Sequence, residues 1–156
     1  MFRHMGSDIR GEILYLIFKE LGIRPSVSSF EKRKLLQKLV FIAQRAGIRL
    51  NFSYNWYRAG PYAPTLTPFY YDIADKEEDY EARTKDRKFS PLIADKLTRI
   101  KKVLGKDIEN GDLLVAMASL LYWEPESVEA VMKHKPGIPL VTWQEAKEKL
   151  KELGLA

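Results

Sequence analysis

The sequence predicts a mainly α protein: a compact single-domain bundle of six or seven helices, with a small β element at about residues 49–58 after the second helix. Three observations predict it. Apolar residues recur at helical spacing in segments bounded by capping residues, glycines and prolines. One segment, Leu50–Trp56, alternates with period two instead. The 156 residues fit one domain, and a chain of that length buries about 70% of the surface it exposes when unfolded. Residues 1–7 read as a loose tail and 8–156 as the domain, organised around Lys34–Pro64.

Taken in order, Ser7 or Asp8 caps a first helix that stops at Gly22. Its Ile13–Phe18 run is apolar on nearly every side, which predicts a central place in the core. Ser28 and Glu31 have the spacing of a capping box for a second helix ending at Gly47. On that helix Leu35, Leu36, Leu39, Val40, Ile42, Ala43 and Ala46 form a core arc. Lys34, Gln37, Lys38, Phe41, Gln44 and Arg45 lie opposite, with Phe41 as an aromatic inside a basic stripe. Leu50, Phe52, Tyr54 and Trp56 then alternate with polar residues, as in a half-buried strand, and Gly60-Pro61 closes it.

A third helix starts near Thr65 or Thr67 with Pro68 in its first turn. Lys76–Lys88 carries charges of both signs and little apolar periodicity, which predicts an exposed loop or edge hairpin. Ser90-Pro91 opens a fourth helix with a stripe of Leu92, Ile93, Leu97, Ile100 and Leu104, and Asn110 or Asp112 caps an apolar fifth. A short helix over Glu126–His134 follows. Thr142–Glu145 reads as a capping box for a last one bearing Trp143, Ala146, Leu150 and Leu153.

Composition excludes several chemistries. Without cysteine there is no disulfide, thiolate metal site or cysteine nucleophile. His4 and His134 are the two histidines, and His134 ends a short helix where a histidine ordinarily answers the helix dipole. No helix carries paired carboxylates on an apolar face and no glycine-rich phosphate loop occurs, so no catalytic residue, cofactor site or metal site is assigned. The longest apolar run, Leu113–Trp123, is shorter than the ~20 residues that span a bilayer. The N-terminus lacks the apolar region of a secretory signal, so no membrane association and a cytoplasmic location are expected. Scarce Asn and Gln beside abundant Lys and Glu is a thermophile-like composition.

Charge supplies the functional lead. Residues 1–60 hold eleven basic and four acidic side chains and the remainder fifteen and seventeen, within a formal net charge of +5. A solvated face accounts for a surplus of this size, but a basic half also fits an acidic partner. Lys34, Gln37, Lys38, Phe41 and Arg45 on the second helix, with Tyr57, Arg58 and Tyr62 at the turn, compose an aromatic-basic face of the kind found at protein interfaces. Nucleic acid is the alternative occupant of the same face. A helix-turn-helix at Leu113–His134 is disfavoured, because Glu124, Glu126 and Glu129 would meet the phosphates.

Leu36-Gln37-Lys38-Leu39, Phe41 and Ala43-Gln44, followed by Trp56, Gly60-Pro61 and Pro64, resemble the helix and Gly-Pro turn of SocA-like proteins, the Panacea antitoxin domain. Gly60-Pro61-Tyr62 is also similar to the turn of the YwgA-like proteins. The resemblance covers residues 30–75 and implies a small, cytoplasmic, helical, non-catalytic domain that binds proteins, toxins among them, as an antitoxin or adaptor.

Overall fold

The computed structural model describes residues 8–156, so the tail expected at 1–7 lies outside the described residues. Eight helices and a two-stranded sheet are present among them. In chain order they are α1 (Arg10–Leu21), α2 (Phe30–Arg45), β1 (Asn55–Tyr57), β2 (Gly60–Tyr62), α3 (Thr67–Asp75), α4 (Glu77–Thr84), α5 (Pro91–Leu104), α6 (Gly111–Tyr122), α7 (Val128–His134) and α8 (Leu140–Glu152). The mainly helical class with a small β element after the second helix is what the sequence predicts. No helix among the described residues is long and apolar enough to cross a membrane.

The helix beyond the expected six or seven is α4, which lies inside the polar Lys76–Lys88 stretch. Tyr80 and Thr84 are its buried positions. Charges on it and just beyond its end hold it to α1: Glu81 accepts from Lys19 at 2.9 Å and from the Tyr15 hydroxyl, Arg83 reaches Glu12 at 3.7 Å, and Arg87, past the helix end, reaches Glu12 at 3.5 Å. Arg24, beyond α1, pairs with Glu77 at 3.2 Å. A helix with one narrow apolar contact and a docked polar face leaves little apolar periodicity to detect.

α2 is the buried centre. Every residue from Leu35 to Ala43 is buried, including the face expected to lie in solvent, because the extended chain and its hairpin cover that face. α6 packs against α2, α8 and β2, and α1 against α3, α4 and α5. α1 is fully buried at Gly11, Leu14, Ile17, Phe18 and Leu21, while Ile13, Tyr15 and Leu16 are only partly covered, so it is not enclosed on every side.

Local signals shift at several ends. Ser29, not Ser28, caps α2, accepting from the Lys32 amide at 3.1 Å, and Glu31 instead pairs with Lys34 at 2.9 Å. α8 begins at Leu140 after Pro139, so Thr142 and Glu145 form no cap. Leu92 faces solvent rather than the stripe of α5. Asn110 and Ser90 cap α6 and α5 as expected.

The β element is also narrower than residues 49–58. Burial alternates through 48–56, yet ladder pairing is confined to Asn55–Tyr57 against Gly60–Tyr62, with Trp56 opposite Pro61.

Candidate functional site

A cleft of about 590 Å³ opens where the N-terminal half of α2, the hairpin and α3 meet. That volume is in the range of ligand and peptide pockets. From α2 come Phe30, Arg33, Lys34, Gln37 and Lys38, one turn below the next on a single side. The hairpin gives Tyr57, Arg58, Ala59 and Tyr62; α3 gives Thr67, Tyr70 and Tyr71; Lys135 arrives from the end of α7.

The floor is polar, buried and tightly connected. Gln37 donates from Nε2 to the Ala63 carbonyl at 3.0 Å and to the Tyr70 hydroxyl at 3.3 Å, while its Oε1 accepts the Ala63 amide at 2.9 Å. Thr67 Oγ1 bridges the hydroxyls of Tyr62 at 2.8 Å and Tyr70 at 3.2 Å. Burial raises the Tyr70 phenol above its ordinary value, against the hydrogen bonds from Thr67 and Gln37. Lys38, 1% exposed, donates to the Pro61 carbonyl at 2.9 Å. Burial first, then the charges of Lys34 and Lys135, push its ammonium down to about 7.

The rim is aromatic and cationic. Phe30, Tyr57 and Tyr71 are 58%, 45% and 44% exposed, unusual for large rings. Tyr57 meets Tyr62 edge to face at 5.2 Å, and Lys34 Nζ lies 5.8 Å from the Phe30 ring centre. Five cations (Arg33, Lys34, Lys38, Arg58 and Lys135) line the cleft, and none of its described lining residues is a carboxylate.

Six of the eight residues expected to bind a partner therefore converge here: Lys34, Gln37, Lys38, Tyr57, Arg58 and Tyr62. Two of the six, Gln37 and Lys38, are buried at its floor rather than displayed on a surface. Phe41 and Arg45 do not belong to it. Phe41 is 4% exposed and packs on Tyr54 at 4.7 Å and Tyr122 at 6.4 Å. Arg45 lies 5.0 Å over the Phe41 ring and bonds Glu124 at 3.3 Å. The expected anchor is thus a core side chain, capped by its own arginine.

The partner-binding set expected from the sequence leaves out Phe30, Arg33, Tyr70, Tyr71 and Lys135. Helical spacing from Lys34 and Gln37 reaches Phe30 and Arg33. Nothing local points to Lys135, which the fold brings across about a hundred residues of chain.

Among the described residues no group of three His, Asp or Glu side chains is placed to hold a metal ion. Comparison with protein-family models, curated proteins and solved structures gives no match, so the likeness to SocA-like and YwgA-like proteins stands on its quoted residues alone.

Proposed function

We propose that this protein is a non-catalytic interaction module whose cleft docks an acidic segment of a partner protein, in the manner of an antitoxin or adaptor. The observation that carries the reading is the charge of the cleft: four rim cations around the buried Lys38, no carboxylate in the described lining, and exposed aromatic rings on the rim. Aromatic and arginine side chains around a concavity are the usual anchors of protein recognition. The surrounding positive charge steers acidic partners and raises the encounter rate. The resemblance of the α2 helix and Gly-Pro turn to SocA-like proteins supports the antitoxin or adaptor form of this reading.

Fluorescence anisotropy tests it with two labelled probes, a roughly ten-residue peptide alternating glutamate and tyrosine and a single-stranded oligothymidylate of about 20 nucleotides. At low salt the peptide is expected to bind, more weakly as salt rises. Oligothymidylate binding more tightly than the peptide, with a steep salt slope, would replace the reading with nucleic-acid binding.

A further inference from the structure

A buried ammonium is costly unless an anion answers it. Lys38 has a neutral answer only in part: its bond to the Pro61 carbonyl uses one of three donors. The groups that face it from the packed elements are Lys34 on its own helix, Lys135 from the end of α7, Arg58, Tyr57 and Tyr62 from the hairpin and Tyr70 from α3. These are cations and phenols. Behind it, at Gly60, α6 brings Val115 and Ser119, and the Ser119 hydroxyl is itself buried without a hydrogen-bond partner among the described residues. A side chain that merely filled this space would be cheaper without its charge.

We propose that Lys38 is the seat for one carboxylate of the docked segment: an aspartate or glutamate side chain enters the cleft and pairs with its ammonium, while Arg33, Arg58 and Lys135 meet acidic residues to either side. The inference rests on the reading of the cleft as a docking site for an acidic segment. A side chain within a segment, rather than a chain terminus, fits because the cations are spread along the rim around the buried one. A terminus brings one charge, whereas an acidic segment brings several.

Docking then has a proton signature. A carboxylate beside an ammonium favours the charged form. Lys38, held down to about 7 in the free protein, gains a proton when the carboxylate arrives. Isothermal titration of the whole chain with the acetylated Glu-Tyr peptide, in buffers of different ionisation heat, reads this directly on the unaltered protein. Uptake of close to one proton is expected near pH 8 and far less near pH 6, where Lys38 already carries its proton. Lys38→Met is expected to weaken binding by at least about tenfold and to abolish the uptake. The same peptide with glutamine for glutamate should bind far more weakly.

The outcomes separate the two claims. Binding of the Glu peptide without proton uptake and unchanged in Lys38→Met overturns the carboxylate seat and leaves the docking reading in place. Equal binding of the Glu and Gln peptides overturns both, since the cleft then does not recognise acidic charge. No binding of either peptide removes the docking reading, and the seat with it.

Discussion

Gln37 and Ala63 exchange the two hydrogen bonds of a ladder pair, the side-chain amide donating to the Ala63 carbonyl at 3.0 Å and accepting the Ala63 amide at 2.9 Å. Two helical turns on, Gln44 treats Phe52 the same way, donating at 3.2 Å and accepting at 2.8 Å. The Tyr54 hydroxyl adds a bond to the Gln37 carbonyl at 3.1 Å. α2 thus holds both ends of the segment from Phe52 to Ala63, which contains the hairpin, through glutamine side chains on one face. At Phe52 and Tyr54, just ahead of β1, this keeps a strand-like alternation where no strand among the described residues pairs with the chain.

Removing the first clamp should be expensive. Gln37→Leu keeps the bulk but strands the buried amide and carbonyl of Ala63, each costing about 1–3 kcal/mol. Urea unfolding should show a loss of roughly 2–4 kcal/mol, with the hairpin amides exchanging faster. A loss under about 0.5 kcal/mol would mean that the hairpin is held by its packing alone.

Gly60 makes the turn possible. Its φ of +97° is in the region that side chains disfavour, and an added Cβ would stand 3.5 Å from Lys38 Cε and 3.6 Å from Val115 Cγ1. That spacing is ordinary contact, so the backbone conformation dominates the cost. Gly60→Ala should lose about 1–2 kcal/mol in thermal or chemical unfolding and loosen Pro61, whose carbonyl is the partner of Lys38.

Lys38 makes stability depend on pH. Its folded value of about 7 lies below the ordinary lysine value of 10.5, so between the two the unfolded chain binds the additional proton. Stability therefore rises with pH across this window. The penalty is fully present below about 7 and fades above it. Urea unfolding at a series of pH values from about 6 to 9 should show the rise in the unaltered chain and a flat profile in Lys38→Met.

Gly11 and Tyr80 tie α1 to α4 through a close approach. An added Cβ at Gly11 would meet the Tyr80 hydroxyl at 2.9 Å and its Cε1 at 3.3 Å. Alanine for glycine in a helix ordinarily gains up to about 1 kcal/mol. Here Gly11→Ala should instead cost about 1–3 kcal/mol by overpacking. In a Tyr80→Phe background, with the hydroxyl gone, the cost should shrink by at least about 0.5 kcal/mol in a double-mutant cycle.

These relationships mark where the sequence was readable. Leu35, Leu36, Leu39, Val40 and Ile42 carry a period that a buried helix face needs, and the helix is there; Phe52, Tyr54 and Trp56 alternate in burial as a half-buried strand would, but of the three only Trp56 lies in a paired strand. Periodicity reports one apolar face and is silent when the opposite face is covered too. Gln37 and Lys38 are polar, so they read as solvent-facing, yet they are buried because their hydrogen bonds go to Ala63 and Pro61. Phe41 is the visible exception in the stripe, and it is buried by Tyr54 of the covering chain, Tyr122 of α6 and Arg45 of its own helix. α4 escaped because its attachments to α1 are largely ion pairs, whose partners Glu12 and Lys19 lie more than sixty residues earlier in sequence. The cleft itself was legible as a composition of lysine, arginine and tyrosine, whereas its concavity, and the share of Lys135 in it, are properties of the fold.

The hairpin rim of the cleft and the buried ring on α2 should therefore separate cleanly under mutation. Tyr57 and Arg58 are exposed on the rim, where truncation leaves no buried partner unpaired, so Tyr57→Ala and Arg58→Ala should change stability by no more than about 0.5 kcal/mol. Each should weaken the Glu-Tyr peptide at least about fivefold in anisotropy, with Arg58→Ala also flattening the salt dependence. Phe41→Ala, at a buried ring between Tyr54 and Tyr122, should do the reverse. It should cost roughly 3–5 kcal/mol in unfolding while leaving the peptide affinity of the folded fraction within about twofold. A Phe41→Ala protein that stays stable and loses binding would return Phe41 to the docking surface and move the site toward Arg45 and Glu124.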